Sequence, residues 1–174
     1  KAVKLFQYER KILSLFDKFT LVSEEEAGLL KRLIPALEKK ISFFSNGVDT
    51  EYFTPDGDYK TPYYTDNKII VFTGAMDYWA NIDAVKWFVE TVFPAVRDKM
   101  NDVQFYIVGS NPTPEVRAFE KIPGVIVTGS VTDIRPYIYC SNLVVAPLRI
   151  ARGIQNKVLE AMSLAKPVLV TSAA

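Results

Sequence analysis

The 174-residue sequence has no histidine and a single cysteine. Without histidine, the chain can hold no Ser-His-Asp triad, no HExxH zinc site and no imidazole proton shuttle. The lone Cys140, in "YIYCSNLVV", has no partner for an internal disulfide; it is expected as a small buried residue in a reducing compartment. No apolar run is long enough to span a bilayer, and no charged-then-apolar leader is read at the start. Charge of one sign is also lacking: 21 basic against 20 acidic residues leave a formal net charge of +1. That balance argues against a general nucleic-acid or membrane-surface binder, which needs a basic excess. Two nucleotide motifs are absent as well. There is no G-x-G-x-x-G after the first strand of the regular region, where the chain reads "GAMDYW", and no G-x-x-x-x-G-K-[ST].

What is present suits a folded domain. At 49% hydrophobic and 24% charged, the chain can bury a core. It starts at Lys1 and stops after "PVLVTSAA", and is expected to be a piece of a larger protein. From Lys68 onward, "KIIVFTG", "VQFYIVG", "VIVTG", "LVVAPL" and "PVLVTS" are short runs rich in β-branched and aromatic residues. Such runs suit strands buried on both faces of a parallel sheet. Helix-period segments lie between them. Over residues 82–93, Val85, Phe88, Val89, Val92 and Phe93 recur at three- and four-residue steps; Asn81 is the expected N-cap and Pro94 the expected break. "TPEVRAFEKI" and "TDIRPYIYCS" predict shorter helices with Thr caps. "GIQNKVLEAMSLA" predicts one with Ile154, Val158, Ala161 and Met162 on the buried stripe. This alternation predicts an α/β fold with a doubly wound parallel, Rossmann-like sheet.

The first part of the chain reads differently. "KLFQYERKILSLF" predicts a helix, "FTLVS" a strand, and "SEEE" a capping box with Ser23 as cap and Glu26 three residues on. That helix should stop near Pro35, and "ISFFSNGVD" predicts another strand. Turn formers dominate "TPDGDYKTPYYTDN", a linker or ordered surface loop.

A doubly wound five-stranded sheet of order 3-2-1-4-5 opens its crevice between the loops after its first and fourth strands. Here those loops are residues 74–81, "GAMDYWAN", and residues 146–153, "APLRIARG". A helix is expected to start at Gly153, offering N–H groups and a positive dipole end to an anion. Arg149 and Arg152 add full charges, and Lys157 follows just past the first turn. A phosphate-bearing ligand fits this arrangement. Plainer accounts stay open: Lys157 and Glu160 as a solvated i,i+3 pair, the arginines as ordinary loop residues, Gly74 as a strand end. Tyr78 and Trp79 read as packing residues, and Asp77 as either an acceptor contact or a turn cap.

These stretches also resemble a family. "FSNGVDTEYFTP", "VFTGAMDYWANIDAVKWFVETVFPAV", "FYIVGSNP", "VTGSVTDIRPYI" and "APLRIARGIQNKVLEAMSLAKPVLVTS" are similar, in order, to the C-terminal half of retaining, two-domain (GT-B) glycosyltransferases of family four (group 1). The sugar transferases of bacterial exopolysaccharide systems are the nearest type. The resemblance implies three parts: residues 1–45 as the last elements of an N-terminal acceptor domain, 46–67 as an interdomain linker, and 68–174 as a truncated donor-binding domain. It implies a nucleotide-sugar donor, UDP-linked by preference, and no other cofactor or metal. A glycan or lipid-linked acceptor would bind through the missing domain. It further implies a cytoplasmic location, with peripheral membrane association of the full-length protein. By position, Glu160 matches the second glutamate of the family's E-x7-E motif, which holds the ribose hydroxyls. Gly153, Ile154, Asn156 and Lys157 match the turn approaching the diphosphate, Gly74 the glycine loop, and Val131 a position beside the base.

The sequence departs from the family at three places. The first glutamate of E-x7-E is Arg152, and the Arg and Lys of the family's G-R-x4-K loop align with Ala75 and Ala80. Our expectation is that Arg149, Arg152 and Lys157 replace those cations from the other side of the crevice. Arg152 and Lys157 would then be the catalytic residues, stabilising charge on the leaving diphosphate. This piece is expected to bind donor weakly and turn over nothing alone. The competing classes are a non-catalytic GT-B relative kept for binding or assembly, and a nucleotide-sugar epimerase.

Overall fold

The computed structural model describes residues 2–151 and 153–172. The chain forms two compact units: residues up to Gly47 with Gly153 and Ile154, and Val48–Ala151 with the residues from Gln155 on.

In the first unit, helix α1 (Ala2–Leu15) leads to strand β1 (Phe19–Leu21), helix α2 (Glu24–Leu33), a 3-10 turn (Pro35–Lys40) and strand β2 (Ile41–Phe43). Ser23 caps α2 as expected, its hydroxyl accepting the Glu26 N–H at 3.2 Å. β1 and β2 pair in parallel, Phe19 opposite Ile41. Leu13, Ala27, Ile34 and Ile41 form the small core. Phe44 (78% exposed) and Leu15 (69%) lie outside it, so this unit leaves much of its apolar surface uncovered.

The second unit is built on five parallel strands: β3 (Lys68–Thr73), β4 (Val103–Val108), β5 (Val125–Gly129), β6 (Leu143–Ala146) and β7 (Val168–Val170). Their order is β5-β4-β3-β6-β7, the predicted doubly wound arrangement. Alternation along the strands divides the core between two faces. Ile70, Phe72, Phe105, Ile107 and Val145 face one cluster with Val85, Phe88 and Phe93. Val71, Val108 and Val144 face the other, with Ile138, Ala161 and Leu164.

The helices depart from expectation in instructive ways. Helix α3 (Trp79–Trp87) starts three residues earlier than predicted, and its N-cap is Tyr78. Asn81 is therefore inside the first turn, with its side chain used elsewhere. Nor does Pro94 break the chain's helical course. One wide turn (Phe88–Val92) precedes helix α4 (Phe93–Lys99), and the Phe93 N–H reaches back to Phe88 O. The widened turn removes the usual clash between a proline ring and the carbonyl four residues before it. Thr113 caps helix α5 (Pro114–Ala118), accepting the Val116 N–H. Thr132 does not cap helix α6 (Arg135–Tyr139): Asp133 instead accepts the Arg135 N–H at 2.9 Å and grips its guanidinium.

Helix α7 runs Asn156–Ser163, so Gly153 precedes it rather than opening it. Its inward residues are Ala161 and Leu164, both fully buried, while Met162 is 62% exposed and Ile154 37%. The short helix gives only two turns, so its seam against β6 and β7 is narrower than the predicted stripe. Cys140 is half-buried, with burial pushing its thiol up.

Residues 48–67 belong to the second unit and pack on its sheet and helices. Tyr63 is buried, its ring 4.7 Å from that of Tyr106, and its hydroxyl donates to Tyr137 O. Ser163 Oγ donates to Phe53 O at 2.7 Å, and the Arg135 guanidinium lies 3.9 Å over the Tyr52 ring. Burial drives the Tyr63 phenol far above its ordinary range.

Candidate functional site

The winding direction of the sheet reverses between β3 and β6, and the site lies at their C-terminal ends. β3 ends at Thr73 and Gly74. The Gly74 N–H donates to Val108 O at 3.1 Å, and the Met76 N–H to Ser110 O at 2.7 Å, tying this loop to the end of β4. The packing there is backbone on backbone. A Cβ on Gly109 would stand 1.7 Å from Gly74 O.

Lys157, in the first turn of α7, reaches across from β6 to this loop. Its Nζ donates to Asn81 Oδ1 at 2.8 Å and lies 4.0 Å from the centre of the Phe72 ring. Asn81 is buried, 8% exposed, and its Nδ2 donates to Ala75 O at 2.9 Å. Space for this assembly exists because residue 74 is glycine. A Cβ there would stand 2.7 Å from Asn81 Nδ2 and 3.0 Å from Lys157 Nζ. Burial holds the Lys157 ammonium down to about 8, against the opposing pull of Glu160. Glu160 is half-buried one turn on, and burial pushes its carboxyl up while Lys157 draws it down. The two do not meet within the 4.0 Å of an ion pair. The solvated i,i+3 pair is thus not what the side chains form.

Arg149, predicted as a second cation here, is committed elsewhere. Its Nε donates to Asp83 Oδ2 at 3.0 Å and its NH2 to Asp83 Oδ1, with Trp87 beside it. Asp83 keeps that guanidinium firmly charged and largely neutralised. Val131 follows β5 and packs half-buried against the cluster of Val71 and Ile138. Asn156 opens α7 with an exposed side chain. Gly153 has φ +68, a backbone that favours glycine, and groups with the first unit, as does Ile154. Arg152 lies outside the described residues.

The structure therefore brings Lys157, Glu160 and Gly74 to the switch point, and sets Arg149 against α3. It adds Asn81, which the sequence reading assigned to a cap. Nothing in the local sequence could separate the two roles, because an asparagine before an apolar run serves both. Tyr78 and Trp79 also differ from expectation: both are more than half exposed rather than packed. Asp77 accepts from Asn111 Nδ2 at 3.0 Å. Ala80, aligned with the family's lysine, is buried at 4%. Among the described residues no helix is long and apolar enough to cross a membrane.

Residues 67–174 match the family described as glycosyl transferases, group 1, and the chain belongs to it. No protein of curated function matches the sequence. Solved structures share the fold at low identity. A sucrose-phosphate synthase from Thermosynechococcus elongatus superposes with a TM-score of 0.69 at 21% identity, over 95% of this chain and 43% of its own. A glycosyltransferase from Rickettsia africae gives 0.66 at 17%, over 91% and 45%. The pneumococcal O-GlcNAc transferase GtfA, in complex with UDP and GlcNAc, gives 0.70 at 13%, over 97% and 33%. The chain thus spans less than half the length of each, with the Rossmann-like sheet of GT-B glycosyltransferases.

Proposed function

We propose that the chain is the donor half of a retaining glycosyltransferase, which moves a sugar from a nucleotide-sugar donor to an acceptor in cell-surface polysaccharide synthesis. One observation carries the reading: a lysine ammonium that, among the described residues, has no carboxylate within ion-pair distance stands at the switch point, with Glu160 one helical turn further on. An ammonium has three N–H donors, and among the described residues Lys157 spends one of them. The remaining donors suit a diphosphate, and a carboxylate at Glu160 suits a ribose diol. Three further parts belong to the proposal: Arg152 contributes charge toward the diphosphate, residues 1–45 end an acceptor-binding domain, and the full-length protein works in the cytoplasm at the membrane face. UDP is the favoured nucleotide, since GtfA was crystallised with UDP and a similar Anabaena protein likewise.

In this mechanism the chain's own residues position the donor and stabilise the leaving diphosphate. Calorimetric titration with UDP, uridine and pyrophosphate tests the reading. UDP should bind, and Glu160→Gln should weaken UDP and uridine by about tenfold or more while sparing pyrophosphate. Arg152→Ala should weaken UDP and pyrophosphate alike. Absence of UDP binding at millimolar concentration, in the full-length protein as well, would defeat the proposal.

A further inference from the structure

The amide of Asn81 does two jobs at once. Its Oδ1 accepts from Lys157 Nζ at 2.8 Å, and its Nδ2 donates to Ala75 O at 2.9 Å. The first bond crosses 76 residues of sequence and joins α3 to α7; the second fixes the loop that follows β3. A buried amide satisfied on both sides is costly to disturb, because either change leaves a polar group without a partner. Its neutrality also matters. A carboxylate at this place would hold the lysine as firmly but cancel its charge, as Asp83 does for Arg149.

We propose that Asn81 is a positioning residue of this site, its neutral amide holding the Lys157 ammonium at the end of β3 so that the cation remains available to an anionic group of the ligand. The inference rests on reading the site as one for a nucleoside diphosphate. Asn81 touches no reacting atom; it acts through Lys157. Gly74 belongs to the same device, since its missing side chain is the space in which ammonium and amide meet. Around the ammonium, Phe72 and Asn81 are uncharged, and Glu160 is the titratable group whose charge acts on it.

The test uses Asn81→Asp and Asn81→Ala in the 174-residue chain, with two readouts. The first is titration of the Lys157 side-chain nitrogen by NMR in protein carrying labelled lysine, its signal assigned by its absence in Lys157→Met. Asn81→Asp should raise the titration midpoint by one unit or more on the pH scale, roughly tenfold in proton affinity. The second is calorimetry. Both variants should lose roughly tenfold in UDP affinity while uridine affinity stays within about twofold. If Asn81→Asp does not fold, Asn81→Ala carries the UDP and uridine comparison. An unchanged Lys157 midpoint in Asn81→Asp would overturn the proposal, as would equal losses for UDP and uridine in either variant. If neither the parent nor the full-length protein binds a nucleoside diphosphate, the functional reading fails, while the NMR titration still decides whether Asn81 governs Lys157.

Discussion

Arg149 and Lys157 come from one short stretch of sequence, carry the same charge, and end in opposite circumstances. Arg149 is half exposed and paired bidentately with Asp83. Lys157 is half-buried, held by a neutral amide and lowered in basicity by its surroundings. A cation that already has a carboxylate offers little to an incoming anion, whereas one held by an amide keeps its charge for the ligand. Sequence proximity therefore says little about which basic residue serves a site. The partner supplied by helix α3, 66 residues away from one and 76 from the other, decides it.

The sharpest way to break the comparison is to close the space that Lys157 uses. Gly109→Ala puts a Cβ on the Gly74 carbonyl, where backbone cannot yield. It should cost about 3 kcal/mol in chemical denaturation, at the upper end for overpacked sites. Gly74→Ala displaces Asn81 and Lys157 instead, whose side chains can move. It should cost less stability, about 1–2 kcal/mol, yet remove UDP binding as fully as loss of Lys157 does.

Next in size is Lys157 itself. Lys157→Met should reduce UDP affinity by about tenfold or more, since a charge-assisted contact is worth about 1.5–3 kcal/mol. The pH dependence then separates binding from folding. The lysine's folded pKa, about 8, lies below its ordinary value of 10.5, so between these the unfolded chain binds more protons. The Lys157 contribution to stability should therefore rise as pH increases from about 8 to 10.5, whereas UDP affinity should fall over the same window as the ammonium is lost. Lys157→Met should abolish both trends. Parallel movement of stability and affinity in the parent would show that the ammonium is structural rather than ligand-facing.

The smallest effect belongs to Arg149. Its pair with Asp83 is half solvent-exposed on the arginine side, so Arg149→Ala should leave stability nearly unchanged in chemical denaturation. UDP affinity should change by less than about twofold. A loss matching that of Lys157→Met would mean that Arg149 leaves Asp83 for the ligand, and the contrast drawn here would collapse.

The strands, their order and the location of the switch point were legible because they rest on local information. Continuous β-branched runs such as "KIIVFT" and "VQFYIV" suit only strands covered on both faces, and alternation with helices restricts how they can wind. Capping at Ser23 and Thr113 was legible for the same reason, each bond spanning three residues. The tertiary structure decided what depends on distant partners. Asn81 carried the sequence signature of a cap, yet its amide bonds Lys157 and Ala75, and Pro94 was absorbed by a widened turn rather than ending the helix. Met162 followed helical periodicity onto a face with nothing to cover it. Periodicity and capping are properties of a segment, whereas burial, charge pairing and the basicity of Lys157 are set by whichever side chains the fold brings alongside.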